Sequence, residues 1–299
     1  MQSSTPLSTP LSTPFTTLIS AAELAQSRPD RGWVVLDCRH DLANPEAGRS
    51  AYAAGHLPQA QFAHLDTDLS GPKIDCDGQF RGRHPLPERA ALLETLRSWG
   101  IDDATQVVAY DASGGMFAAR LWWLLRWLGH AAVAVLDGGL PAWQQAGQPL
   151  TATAPAQRRG AITERAALTA SVEAAAVLAN LATGARTVLD ARAPDRFRGE
   201  NETLDAVGGH IPGAKNRFFR DNLQADGCFK PAARLQAEFG AIIGDSQATI
   251  SQCGSGVTAC HNLLAMEIAG LPGAALYPGS WSEWCADPGR PVVIGCQIY

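Results

Sequence analysis

The sequence predicts an α/β protein in which one unit, a mostly parallel sheet with helices on both faces, is written twice. Three observations carry this. Short apolar runs of strand length alternate with stretches of helical apolar spacing, as buried parallel strands and their crossover helices require. Four of these runs end in or lead directly into a reactive or charged residue, Asp37, Asp111, Asp190 and Cys253, and open α/β sheets gather their ligands at such strand ends. The same short motifs also recur, in the same order, in the two halves of the chain.

Taken in order, Ser20 and Glu23 have the spacing of a capping box and open a short helix. Val34-Val35-Leu36-Asp37 reads as a strand, and Gly55-His56-Leu57-Pro58 follows it. Ser70 to Pro87, rich in Gly, Pro and charge, reads as an inserted surface loop. Helical patterns from Glu88 to Trp99 and from Phe117 to Leu128 flank the strand Val107-Val108-Ala109-Tyr110, which runs into Asp111. The second half repeats this. A helix opens at Ser171-Val172-Glu173, Thr187-Val188-Leu189-Asp190 is the strand, and Gly209-His210-Ile211-Pro212 answers the earlier Gly-His element. Helical patterns from Ala233 to Phe239 and from Ala259 to Ala269 flank Thr249-Ile250-Ser251-Gln252, and Gly279 to Trp284 answers Gly138 to Trp143. On this register Asp111 stands opposite Cys253. The two units span residues 16–147 and 169–299, joined by a linker at 148–168, and residues 1–15, with their Ser-Thr-Pro echoes, read as a disordered tail.

With 299 residues, 46% hydrophobic and 18% charged, the chain can build two ordinary cores without disulfides or metals. A net charge of −5 offers no electrostatic attraction for nucleic acid or an anionic membrane, so neither is expected as a partner. Signal-peptide and transmembrane patterns are absent from the sequence. Seven cysteines, at 38, 76, 228, 253, 260, 285 and 296, form no CxxC pair and no Cys/His ligand cluster. That argues against a disulfide framework or a metal site and for a reducing compartment, read as the cytoplasm.

The chemistry concentrates in Cys253-Gly254-Ser255-Gly256-Val257-Thr258. As strand end, tight loop and helix start, it places a thiol at the mouth of a cup of backbone N–H groups, and the glycines let successive amides turn inward. Such surroundings stabilise a thiolate over a thiol and make a nucleophile, and their small, polar composition opens the site to solvent. In the first unit Asp111 takes the same place, where a carboxylate satisfies the loop amides permanently, so that unit is a scaffold and the second carries the chemistry. Cysteine-dependent phosphatases share this plan, but they hold phosphate with an arginine where this chain has Ala259.

The duplicated unit, the paired Gly-His-Leu/Ile-Pro elements, Arg196-Phe197-Arg198-Gly199, the Cys253 loop and Gly279-Ser280-Trp281-Ser282-Glu283-Trp284 together resemble the tandem-domain rhodaneses. The resemblance covers nearly the whole chain after the first fifteen residues. It implies two tandem rhodanese-like domains and a sulfurtransferase that needs no cofactor, in which Cys253 takes a sulfane sulfur from 3-mercaptopyruvate or thiosulfate as a persulfide. The sulfur then passes to cyanide or a thiol acceptor, such as thioredoxin or a small thiol. It further implies that Arg196 grips the donor, that the amides from Gly254 to Thr258 hold the outer sulfur, and that Ser255 and His56 help move the proton, with Asp41 and Glu46 as candidate acids. The neutral Ser255 and Thr258 resemble the mercaptopyruvate type, which is preferred here as donor. The arginine that the mercaptopyruvate enzymes carry before the second Gly-His element is Thr203 in this chain. Thiosulfate:cyanide transfer is the alternative activity, and a non-catalytic binding module the alternative from another class. His56 also has a structural reading, since His210 repeats it. Repetition likewise marks Arg39, Arg192, Trp143 and Trp284 as structural.

Overall fold

The computed structural model describes residues 13–27 and 32–295. The expected tail lies outside the described residues as far as residue 12. Phe15, at its end, is packed, its N–H donating to Gln106 Oε1 at 3.0 Å and its ring set edge-on against Trp33.

Each half builds one five-stranded sheet in which every strand pair is parallel. The first half runs β1 (Leu18–Ile19), α1 (Ala21–Ser27), β2 (Val34–Asp37), α2 (Ala47–Ala54), β3 (Ala60–Phe62), α3 (Arg89–Ser98), β4 (Val107–Tyr110), α4 (Ala118–Trp127), β5 (Val133–Leu136) and α5 (Gly139–Gln145). The second runs β6 (Ala170–Ser171), α6 (Ala174–Thr183), β7 (Thr187–Asp190), α7 (Pro194–Arg198), β8 (Lys215–Asn216), α8 (Ala232–Gly240), β9 (Thr249–Gln252), α9 (Thr258–Ile268), β10 (Ala275–Leu276) and α10 (Ser280–Trp284). The strand orders, β1-β5-β4-β2-β3 and β6-β10-β9-β7-β8, are the same order written twice. In each sheet the chain reverses its lateral direction beside the central strand, β4 or β9, which is where such sheets open a crevice at their carboxyl ends.

The repeated polar residues brace the two halves identically. Arg39 bonds the Asp37 carboxylate and the Gly55 carbonyl, and Arg192 bonds Asp190 and the Gly209 carbonyl. Trp143 donates to the Pro149 carbonyl as Trp284 does to that of Pro291. Ser20 and Glu23 exchange the two bonds of a capping box at α1.

α4 and α9 join the halves. Residues Ala118 to Leu125 are all buried, and so are Thr258 to Met266. A helix apolar on every side must be covered on every side, and these two cover each other within one hydrophobic cluster that runs through both halves. The segment expected as a linker packs on the first half. Gly160 and Ile162 donate to the carbonyls of Arg97 and Ile101, and Ile162 is buried.

The stretch Ser70 to Pro87 departs from the surface loop expected of it. Its tip, around the Ile74–Phe80 bridge, is exposed, but Gly82, His84, Pro85 and Pro87 are buried, Gly82 against Gly279 and His84 against Ser255 of the second half. The second half builds a counterpart bridge, Leu223–Phe229, but reaches its next helix sooner, Ala232 following Phe229 far more closely than Arg89 follows Phe80, so the extra length of the first half lies on both sides of its bridge. A loop rich in Gly, Pro and charge suits a domain interface as well as it suits solvent.

Candidate active site

Cys253 follows β9 and is pinned from α10: its N–H donates to Ser280 Oγ at 3.1 Å, and its carbonyl accepts from the Trp281 N–H at 2.9 Å. The Gly254 carbonyl accepts from Ser282 N–H at 3.0 Å. Gly256 sits at φ +79°, and a Cβ there would run into the Pro278 carbonyl, so both the dihedral and the space demand glycine. Its N–H donates to Cys253 Sγ at 3.2 Å. The loop of the first half shows what such a cup can hold. There the Asp111 carboxylate accepts four backbone bonds of 2.7–2.9 Å, from Ser113, Gly115, Phe117 and Ala118.

The thiol is not open to solvent as its local composition suggests; Cys253 is only 2% exposed. Its cover comes from the first half. Leu42, Arg83, Met116 and Phe117 close a cavity of about 130 Å³ over Cys253, together with Arg196 and Thr258. Roomier clefts of about 550 and 640 Å³ lie beside Trp33 and beside Arg81. It is the small cavity that combines a thiol, guanidinium groups and an anion-holding loop.

Ser255 Oγ lies 2.7 Å from His84 Nδ1, and His84 Nε2 lies 3.2 Å from Asp66 Oδ1. With Nε2–H directed at the carboxylate, Nδ1 accepts the Ser255 hydroxyl, giving a hydrogen-bonded chain of three side chains that ends two residues from Cys253. Neither Asp66 nor His84 stood out in the sequence. His56, assigned to this role by resemblance, does not reach the site. Both its ring nitrogens face carbonyl oxygens, of Tyr52 at 2.8 Å and Thr153 at 3.2 Å, and the ring stacks on Tyr52. His210 faces the Phe197 carbonyl and stacks on Phe197 in the same way, so the Gly-His element is a repeated structural lock. Of the candidate acids, Asp41 accepts the N–H groups of Ala43 and Asn44, and Glu46 is largely exposed.

Asp66 has further company. His40, His64 and Asp66 bring ligand-type atoms within 4.8 Å of one another, a cluster the sequence spacing concealed. His64 Nδ1 accepts the Asp66 N–H at 3.1 Å, which puts the proton on Nε2; neither that nitrogen nor His40 Nδ1, both buried, has a hydrogen-bond partner among the described residues.

Arg196 lines the cavity, its Nε and Nη2 held by Glu202 at 3.1 and 2.7 Å. Arg198 turns to Glu200 on the surface. Arg120 of α4 is fully buried and donates to the carbonyls of Leu69, His84, Pro85 and Gly256 at 3.1–3.4 Å, tying the His84 segment to the Cys253 loop.

A model of the rhodanese-like domain family matches residues 20–146 and again 173–287. The chain is 46% identical over 281 residues to the "Probable 3-mercaptopyruvate sulfurtransferase" of Pseudomonas aeruginosa, covering 93% of this chain and 98% of that one. It is 35% identical over 282 residues to the thiosulfate sulfurtransferase of Bos taurus, covering 89% and 91%. The crystal structure of SseA from Escherichia coli, described among 3-mercaptopyruvate sulfotransferases, superposes with a TM-score of 0.76 at 29% identity, covering 90% of this chain and all of that one. The chain belongs to the rhodanese family. Within it, the chain is a tandem-domain sulfurtransferase, an enzyme. Among the described residues no helix is long and apolar enough to cross a membrane.

Two buried rings at this interface give the site a pH dependence. Burial pushes His84 down to about 3, outweighing Asp66, and pushes His261, whose Nε2 faces the Gly114 carbonyl of the first half, down to about 4. In the unfolded chain both return to about 6.5. Below that value the unfolded state binds more protons than the folded one, so stability falls with falling pH, each ring costing about 2 kcal/mol by pH 5. The urea midpoint is expected to drop between pH 7 and 5, and a flat midpoint would show that the rings are not held neutral.

Proposed function

We propose that the enzyme moves a sulfane sulfur from 3-mercaptopyruvate, in preference to thiosulfate, through a Cys253 persulfide to a thiol or cyanide acceptor. The observation that carries this is a sulfur held by the Gly256 N–H on the floor of a small cavity, with the Ser255–His84–Asp66 relay beside it. The Cys253 thiolate attacks the donor sulfur, an S–S bond forms, and the C–S bond breaks with its electron pair leaving on the pyruvate enolate. The proton removed from the thiol, carried by the relay, returns to the enolate carbon to give pyruvate. An acceptor thiolate or cyanide then takes the outer sulfur and restores the Cys253 thiolate. With thiosulfate the leaving group is sulfite, which departs without needing a proton.

The four amides on Asp111 support the persulfide, since the related loop around Cys253 offers an added anionic sulfur the same kind of environment. Six described cysteines are free, consistent with a cytoplasmic setting and a thiol acceptor such as thioredoxin. Thr203, where a second arginine would mark the mercaptopyruvate type, favours thiosulfate as the alternative donor.

Steady-state rates with each donor, for wild type and His84→Gln, separate the two. Mercaptopyruvate is expected to be the faster donor, and the variant to slow it by about 10²-fold or more while slowing thiosulfate far less. A faster thiosulfate reaction with equal losses on both donors would reverse the assignment.

A further inference from the structure

We propose that the first half carries a binding site of its own: the cleft of about 550 Å³ beside Trp33 takes a small, neutral, planar heterocycle with hydrogen-bonding groups on its edge, of the nucleobase kind. This stands apart from the sulfur-transfer reading. The cleft adjoins Val34 and Val35, where β2 begins, whereas Cys253 follows the end of β9 in the other half.

The first support is a strained residue that one half carries and the other does not. Among the described residues, Gln59 at φ +63° and Ser280 at φ +53° are the ones other than glycine in the left-handed region. On the register of the repeat, Gln59 answers Gly213, at φ +75°, and Ser280 answers Gly139, at φ +57°. The backbone makes the same turn in both halves, and in each pair one half accepts a side chain where the other keeps the glycine that the turn favours. For Ser280 the reason is evident, because its Oγ accepts the Cys253 N–H and fixes the nucleophile loop. The Gln59 carboxamide makes no hydrogen bond to any described residue, and it lines the cleft. A side chain held in place against its steric cost, with its polar end left to a cavity, points to a ligand that the polar end meets.

The second support is the lining. Trp33, Trp99 and Trp143 stand around the cleft with Gln59, Gln61 and Gln148. Trp143 is matched by Trp284, but the second half has Arg186 at the place of Trp33, so Trp33, like Gln59, is a departure of the first half from the repeat. Arg158 is the one charged residue of the lining, and the Asp102 carboxylate holds it at 2.6 Å, so the cleft has no unpaired charge for an ion among the described residues. A cleft of this size suits a small molecule. Indoles stack on planar rings, and a carboxamide presents a donor and an acceptor side by side, which matches the acceptor and donor on one edge of adenine.

The test is calorimetric titration of the full chain with adenine, adenosine monophosphate and glucose, repeated on Gln59→Gly and Trp33→Ala. Gln59→Gly installs the residue that the second half uses in the same turn, so it removes the carboxamide and keeps the backbone, and its urea midpoint is expected to equal or exceed that of wild type. Adenine is expected to bind wild type with a Kd of about 1 mM or tighter, and each variant to weaken it by about tenfold or more. Sulfur transfer by Gln59→Gly is expected to stay at the wild-type rate. Adenosine monophosphate, whose phosphate finds no unpaired cation in the cleft, is expected to bind no more tightly than adenine. Absence of adenine binding to wild type, an affinity that Gln59→Gly leaves unchanged, or glucose held more tightly than adenine would each overturn the assignment. A lower urea midpoint for Gln59→Gly would show that the fold itself needs the side chain, which removes the ground for a ligand just as surely.

Discussion

Cys253→Ser is expected to fold normally, to acquire no sulfur from either donor, and to lose turnover by at least about 10³-fold. The hydroxyl keeps the shape of the loop, because the Gly256 N–H that donates to Sγ can donate to an oxygen. It cannot supply a soft anion at neutral pH, and no other described cysteine stands in for it at the site. Burial pushes the Cys260 thiol up to about 12 and those of Cys228 and Cys285 to about 11, and it holds Cys38 well above its usual range. Cys76 is exposed on the hairpin tip, away from the loop amides. Intact mass after incubation with each donor provides the check, and a sulfur gained equally by wild type and Cys253→Ser would remove the persulfide from residue 253.

Arg120→Leu is expected to show the largest loss of stability of any single change at the interface, about 3–5 kcal/mol. The guanidinium is completely buried and has no carboxylate partner among the described residues, its charge being met by four carbonyl groups. Two effects oppose each other. A leucine relieves the cost of burying a cation, but it strands the buried carbonyls of Leu69 and His84, whereas those of Pro85 and Gly256 keep the Gly71 N–H and the Cys260 thiol as donors. Two unmet buried acceptors and the loss of the tie between the two segments outweigh one desolvated charge already surrounded by carbonyl dipoles, so the balance is destabilising. Those carbonyls belong to both the His84 segment and the Cys253 loop, so activity at a temperature where the variant is folded is expected to fall further than the lost stability accounts for. An unchanged urea midpoint for Arg120→Leu would show that the interface does not depend on this residue.

The sheets were legible because parallel strands covered on both faces must be apolar almost throughout, and β2, β4, β7 and β9 coincide with runs visible in the sequence. The strand-to-helix passage through Cys253 was legible because its glycines and the Asp111 counterpart declare a loop built to hold an anion. The cover over that loop was not. Arg83, His84 and Asp66 sit in or near a stretch whose composition describes a flexible turn, and nothing local says what a turn will pack against. The same blindness made Cys253 look open, since the residues that bury it are distant in sequence. His56 misled for the opposite reason. Its motif is conspicuous because it is repeated, and what two halves repeat is what both need to fold, whereas the chemistry belongs to one.

Placing the sulfur in one half and its cover in the other also orders the enzyme's birth. The portion carrying Arg83, His84 and Arg120 leaves the ribosome before the portion carrying Cys253, with the side of α4 that α9 covers still open. The thiol thus emerges beside a waiting surface, present at high effective concentration because both belong to one polypeptide. Separate chains would have to find each other, and until they did the sulfur would stand unprotected against oxidation. Covalent fusion of the two copies fixes one shield to each nucleophile.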